Sequence, residues 1–287
     1  MSDIRIVTDS SARFLQPHLA THRLVTLAPA SIRWHSDSLV DDPGLNLEGA
    51  RGLFGAPGDP PTPEAPSIRD FERIYGGLQN ESDRIISIHT SSAISGSYEN
   101  ARRASDQFRG RCDIQVIDSH TTSAGLGMLA AAAAQAAEQG ADMEELVRLA
   151  LGMISRLYMV IFLDELVYLD RGGLISRSQS ILGNMLGIIP FLTMENGRLI
   201  PMEKVRTRLR ALEKLVEFVA EFAQIDQLAI LQSSPTPSEE ARVVAERLLA
   251  LYPEAPITHL DYGPTLATQV GLNALGVVVL ESEEEAL

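Results

Sequence analysis

Hydroxyl groups crowd one stretch of this sequence, Ser87-Ile-His-Thr-Ser-Ser-Ala-Ile-Ser-Gly-Ser-Tyr98. An apolar run, Arg84-Ile-Ile-Ser-Ile88, leads into it, and helical periodicity from Tyr98 to Phe108 leads out. Thr90, Ser91, Ser92 and Ser95 are therefore delivered where a strand ends and a helix begins. Backbone N–H groups at a helix start lack intrahelical partners, and the helix dipole favours negative charge there. The residues suit an anion; equally, one serine could simply cap the helix. A serine nucleophile would need a base. His89 and His120 both follow strands, but no His–Asp arrangement is adjacent in sequence, and an ordinary buried histidine accounts for either.

Other chemistry is weaker. Gly125-Leu-Gly-Met-Leu-Ala130 has the outline of a dinucleotide fingerprint. Residues 119–124 separate it from the preceding strand, though, where the fingerprint needs a tight turn. Glycines that allow close packing explain it better, and no nucleotide cofactor is expected. His18 and His22 have i,i+4 spacing without an acidic third ligand nearby in sequence, so no metal is expected. Cys112, the single cysteine, leaves no disulfide framework. Arg171, Lys204, Arg206, Arg208 and Arg210 gather positive charge that could meet an acidic partner, or form a solvated helix face.

Short β-branched runs separated by helical patterns position these groups. Residues 4–7, 24–27, 84–88 and 114–117 read as strands, and the last two suit a sheet covered on both faces. Helices are expected at Ile68 to Leu78, after the capping box Ser67–Asp70, at Tyr98 to Phe108, at Thr122 to Gln139, and after Asp142. Asp41 to Pro66, rich in Asp, Gly and Pro, reads as a long surface loop. Beyond Leu157 the pattern is mixed. A strand at 159–163 and a helix at Ser176 to Leu186 precede a hairpin turning on Asn196-Gly197. Then come a helix from Arg206, a strand at 228–231, a helix capped by Thr236, and strands at 257–260 and 276–280. The expected fold is α/β: an N-terminal α/β domain, 1–157, with a mainly parallel sheet, and a mixed α/β domain, 158–287.

The 287 residues, 45% of them hydrophobic, are enough for two domains with ample cores. A net charge of −14 argues against nucleic acid as partner. No apolar run approaches the ~20 residues of a membrane span, and the first residues lack the pattern of a signal peptide, so a cytoplasmic location is expected.

Several ordered motifs together resemble the DegV family of bacterial lipid-binding proteins, over nearly the full length. They are Val7-Thr-Asp-Ser-Ser11, the serine stretch through Tyr98, Val116-Ile-Asp-Ser119 with Gly125 and Gly127, Leu169-Asp-Arg-Gly-Gly-Leu-Ile-Ser176, Leu182-Gly-Asn-Met-Leu-Gly187, and Asn196 to Thr207. The resemblance implies a non-catalytic carrier holding one long-chain fatty acid between two α/β domains. The tail would lie in an apolar tunnel and the carboxylate at hydroxyls and amides near the serines. Some members present the acyl chain to a fatty-acid kinase for phospholipid synthesis.

Carried over by position, the implied ligand residues are Ser92 with Ser91 beside it, Thr62 and Gln269. Arg171, Lys204 and Arg206 are the implied docking residues for a kinase. The sequence departs from the family at Pro63, where a ligand-facing Thr is usual, at Leu174, where Arg is usual, and at Gln269, where His is usual. Glu64 adds a carboxylate to the same loop as Pro63. These changes remove polar contacts, and at Leu174 and Gln269 positive charge, which keeps open a less anionic amphiphile as ligand. A serine hydrolase pairing Ser92 or Ser95 with His89 is a further alternative.

Overall fold

The structure, a computed structural model, describes residues 4–43, 45, 47–54, 60–171, 183 and 185–283. The chain divides into two units, one of residues 1–45, 61–155 and 196–198, the other of residues 46–60, 156–195 and 199–287.

In the first unit, strand β1 (Arg5–Asp9) is followed by a short 3-10 helix, Pro17–Thr21, and by β2 (Val25–Ala28), β3 (Ser31–Trp34) and β4 (Asp37–Val40). Helix α1 (Leu47–Phe54) groups with the second unit. The first unit resumes with β5 (Thr62–Glu64), α2 (Ile68–Leu78), β6 (Arg84–His89), α3 (Ser97–Ser105), β7 (Asp113–Asp118), α4 (Ser123–Glu138) and α5 (Met143–Ile154). Its main sheet has the order β2-β1-β6-β7 with every pair parallel. Thr8 pairs with Ile88, and His89 with Asp118, so Asp9, His89 and Asp118 end three adjacent strands at one edge. β4, β3 and β5 form a separate antiparallel sheet.

The helices start where local chemistry favours it. Ser67 and Asp70 cap α2 reciprocally, as Asp142 and Glu145 cap α5. Phe71 and Tyr75 of α2 are fully buried and pack with Val7, Ile85 and Phe108 against one face of the sheet. Helix α4 is buried on most of its circumference, as its alanine-rich sequence permits. Gly127 lets it approach the chain after β1, because a Cβ there would lie 2.0 Å from the Arg13 carbonyl oxygen. The fingerprint glycines thus serve packing. Arg13 itself is buried and bonds Asp41, also buried, at 2.5 Å. Removing one partner of such a pair costs about 3–5 kcal/mol, because the remaining charge is left uncompensated.

The second unit contains β8 (Leu157–Phe162), α6 (Val167–Arg171), β9 (Ile189–Glu195), β10 (Arg198–Val205), α7 (Arg208–Val219), β11 (Ile225–Gln232), α8 (Glu239–Leu251), β12 (Ile257–Asp261), α9 (Gly263–Val270) and β13 (Leu275–Glu281). Its sheet has the order β10-β9-β8-β13-β11-β12. β11–β12 is parallel, whereas β8–β9, β8–β13 and β11–β13 are antiparallel. Both sheets agree with the expected α/β class. Val160, Phe162, Leu215, Val244 and Val277 are among the side chains of this unit's core. Among the described residues no helix is long and apolar enough to cross a membrane.

Several expectations are corrected. Asp41 to Pro66 is not a bare surface loop: it contains α1 and β5, and buries Asp41 and Leu47. The Leu47 N–H donates to Asp261 at 2.9 Å, which anchors the start of α1 despite the prolines that follow. Strands β3 and β4 and helix α9 went unrecognised. Ser238, not Thr236, caps α8, since the Gln232 side chain bonds Ser234, Thr236 and Ser238 and holds that segment as a turn. Thr207 caps α7, so that helix begins after Arg206. Glu138, remote in sequence, bonds His22 at 3.3 Å. Residues 176–182 and 184 of the expected helix, and Leu174, lie outside the described residues.

The tight packing at Gly127 is expected to make Gly127→Ala destabilising by about 2–4 kcal/mol. Urea denaturation checks this against Gly152→Ala, where a Cβ would meet nothing within 4 Å.

Candidate functional site

The serine stretch lies at the edge where β1, β6 and β7 end. Asp9 is 1% exposed and His89 fully buried. The His89 Nδ1–H donates to Asp9 Oδ1 at 2.8 Å, and the Thr90 N–H donates to Asp9 Oδ2 at 2.8 Å. On its other side, His89 Nε2 lies 2.6 Å from Ser87 Oγ, which lies 2.8 Å from the Tyr75 hydroxyl. In the neutral ring the chain runs one way, from Tyr75 through Ser87 and His89 to Asp9. Phe71 meets the His89 ring edge-on, 4.8 Å between centroids. His89 therefore faces Ser87 and Asp9 with both nitrogens and is not offered to Ser92 or Ser95, so the hydrolase pairing expected as an alternative does not form.

The next two amides are also engaged. The Ser91 N–H donates to the Thr121 carbonyl at 2.9 Å, and the Ser92 N–H to Asp118 at 3.2 Å. Asp118 also accepts the His120 N–H at 3.1 Å. The Ala93 N–H donates to Ser91 Oγ, and those of Ile94 and Ser95 to the Ser91 carbonyl. Every backbone N–H from Thr90 to Ser95 thus has a partner within the protein; α3 itself starts further on, at Ser97, whose N–H donates to the Ser95 hydroxyl at 3.2 Å. What the loop offers instead is side chains. Ser92 is exposed, and its hydroxyl makes no hydrogen bond among the described residues. Thr90 Oγ1 is buried without a partner among them. His120, in a left-handed conformation at φ 50, is half-exposed beside Asp118.

Ser91 is buried, and the hairpin turn accounts for it. Residues 196–198 group with the first unit, and Asn196 and Gly197 both have positive φ, as a two-residue hairpin loop requires. A Cβ on Gly197 would stand 2.1 Å from Ser91 Oγ and 3.0 Å from His120 Nδ1. Sequence reasoning found the turn but not its place over Ser91. It also missed Asp9 and Asp118, although both carboxylates directly precede serines at strand ends.

Thr62 is exposed on β5 opposite Arg33, and Pro63 pairs with Ile32. Glu64 forms an ion pair with Arg33, which answers the charge that Glu64 adds to this loop. Just beyond, the Pro66 carbonyl accepts a hydrogen bond from Asn100 of α3 at 2.9 Å, tying this segment to the helix that follows the serines. In the second unit, Gln269 is half-buried on α9. The basic cluster separates into two kinds of residue. Arg208 bonds Asp164 and Glu240, and Arg210 bonds Glu213 and Glu217. Arg171, Lys204 and Arg206 are exposed and make no ion pair among the described residues, Arg171 lying 5.4 Å from the Tyr168 ring centroid. A cavity of about 300 Å3 in the same unit is walled mainly by Leu166, Leu169, Ile188, Pro190 and Met202, with Lys204 on its rim. A larger polar groove, about 880 Å3, lies by Arg84 and Asp113, at the opposite ends of β6 and β7 from the serines. Among the described residues no group of three or more His, Cys, Asp or Glu side chains could hold a metal.

Comparison with known proteins identifies the class. Residues 3–282 match the DegV family, whose description reads "uncharacterised protein". The chain belongs to that family. It is 28% identical to protein DegV of Bacillus subtilis over 279 residues, 96% of this chain and 98% of that one. Among solved structures it resembles DegV of Bacillus subtilis, described as a fatty acid binding protein, with 26% identity, a TM-score of 0.81, and 98% and 100% of the two chains covered. It also resembles a DegV family protein of Thermus thermophilus described by its fatty acid binding, with 25% identity, a TM-score of 0.81, and 97% and 99% covered.

Burial pushes the Tyr75 phenol well above its usual range, and Asp9 adds to the shift against the Ser87 hydrogen bond. Below about pH 10 the phenol is protonated in folded and unfolded chains alike, so its contribution is complete. Above that, the unfolded chain releases a proton that the folded one retains. Stability is then expected to fall by about 1.4 kcal/mol per pH unit from this group. Urea denaturation between pH 9 and 11 measures the slope, and Tyr75→Phe should remove this share of it.

Proposed function

We propose that this protein binds one long-chain fatty acid without altering it chemically, and that it presents the bound acyl chain to a fatty-acid kinase. The observation that carries the reading is the family membership over residues 3–282, joined to full-length likeness to a Bacillus subtilis protein described as fatty acid binding. The two units supply the two kinds of surface that such a ligand needs. The second has an apolar cavity of about 300 Å3, at the lower end of the ~300–1,000 Å3 of small-molecule sites. Each methylene buried there contributes about 0.8 kcal/mol, so the tail supplies most of the affinity.

The first unit supplies hydroxyls for the head. Ser92 is the proposed contact, with Ser91, Thr62 and, from the second unit, Gln269 as further ligand residues. A hydroxyl can donate to a carboxylate or accept from an acid or alcohol, and Gln269 likewise has a donor and an acceptor but no charge. Arg171, Lys204 and Arg206, free of internal ion pairs among the described residues, are the proposed docking points for the kinase, where an acidic partner surface would meet them. A non-catalytic role agrees with the sealed environment of His89.

A second reading, a less anionic amphiphile on the same fold, is favoured by the filled amides of Thr90 to Ser95 and by Pro63 and Gln269 in place of the family's Thr and His. Competition between a fatty acid and its alcohol separates it from the first.

Lipid extracted from the purified, denatured protein is expected to contain fatty acid close to one per chain by mass spectrometry. Ser92→Phe, which fills the head-group position, should lower that content and weaken uptake of labelled fatty acid at least tenfold. Protein that is empty and takes up no fatty acid contradicts the function; full uptake by Ser92→Phe contradicts the placement of the head.

A further inference from the structure

The geometry points to Asp9 as a positioning residue that sets head-group recognition while touching no ligand, an inference that rests on the fatty-acid reading above. Asp9 ends β1, and Thr90 follows β6, the adjacent strand. One carboxylate oxygen holds the His89 ring at 2.8 Å and the other holds the Thr90 amide at 2.8 Å. The group is 1% exposed, so both bonds form away from competing water, where a charge-assisted hydrogen bond is strongest. Two residues beyond Thr90 stands Ser92, the exposed hydroxyl proposed to meet the head.

The support continues behind Asp9. His89 cannot rotate, because Ser87 holds its second nitrogen at 2.6 Å and Phe71 covers its edge. Ser87 is in turn held by Tyr75 at 2.8 Å. The chain Tyr75–Ser87–His89–Asp9 therefore runs from α2, through the interior of the sheet, to the first amide of the serine loop. All four side chains are buried and none is exposed to a ligand. The constellation has the Ser–His–Asp order of a hydrolase, but with its serine at the closed end it can only orient.

An Asn at position 9 has one oxygen for two donors. With that oxygen on the His89 ring, its NH2 opposes the Thr90 N–H. With it on the Thr90 amide, its NH2 is satisfied only if His89 gives up its Nδ1 proton and reverses the chain to Ser87 and Tyr75. The loop is expected to lose its register at Thr90 while Ser91 and Ser92 keep the Thr121 carbonyl and Asp118. The effect should fall on the head and spare the tail. Asp9→Asn is expected to weaken binding of palmitic acid about tenfold, the scale of one charged hydrogen bond, and binding of methyl palmitate less than threefold. Fluorescence displacement measures both, and amide hydrogen exchange should show Thr90 deprotected with Ser91 and Ser92 still protected. Should Asp9→Asn not fold, His89→Gln, which keeps a donor for Asp9, is expected to retain several times the acid affinity of His89→Leu, which does not.

Equal loss for acid and ester, unchanged acid affinity, or equal affinities in the two His89 variants would overturn the proposal. Failure of the wild-type protein to bind acid or ester would instead refute the fatty-acid reading, and Thr90 exchange would still report whether Asp9 holds the loop.

Discussion

Asp9 carries a carboxylate in the interior of the first unit, and two donors make that burial tolerable. Without them a buried carboxylate would cost several kcal/mol in lost hydration. One donor is the ring of His89, the last residue of β6, and the other is the amide of Thr90, the first residue of the serine loop. The compensation for the charge is thus the same contact that fixes where the loop begins. Asp118, at the end of β7, repeats the arrangement by accepting the amides of Ser92 and His120. Three parallel strands end side by side, and the two outer ones of this trio reach over to hold the loop that leaves the middle one.

This arrangement decides how the site can recognise a ligand. A helix start with open amides binds anions through the backbone and leaves little for side chains to select. Here the amides from Thr90 to Ser95, which precede α3, are engaged, and this supports the proposal that side-chain hydroxyls and neutral groups select the ligand. Charge is spent elsewhere: Arg13 on Asp41, Arg33 on Glu64, Arg208 on Asp164 and Glu240. The net −14 of the chain is therefore a poor guide to its ligand. Arg171, Lys204 and Arg206, which make no ion pair among the described residues, are the positions proposed to meet a partner.

The sequence made the regular elements legible wherever local chemistry settled them. The capping boxes at Ser67 and Asp142 and the Asn196-Gly197 turn involve residues a few positions apart, and all three form as read. The serine stretch, read as lying where a strand ends and a helix begins, does lie between β6 and α3, for the same reason. What stayed hidden depends on distant residues. β3 and β4 are short strands stabilised by pairing with each other and with β5, and α1 starts on a bond to Asp261. Asp9 lies 80 positions from His89, so no spacing rule links them, and distant partners likewise take the amides of Thr90, Ser91 and Ser92. The motif resemblance supplied the function that these local readings could not.

The amides of Thr90, Ser91 and Ser92 are held within the protein, which leaves the exposed hydroxyl of Ser92 as the group proposed to meet the ligand. Amide hydrogen exchange on delipidated protein, before and after fatty acid is added, reads this out. All three amides are expected to be protected without ligand and to change little when it binds. Fast exchange without ligand, becoming slow once fatty acid is added, would mean that the backbone receives the head after all and would contradict this proposal.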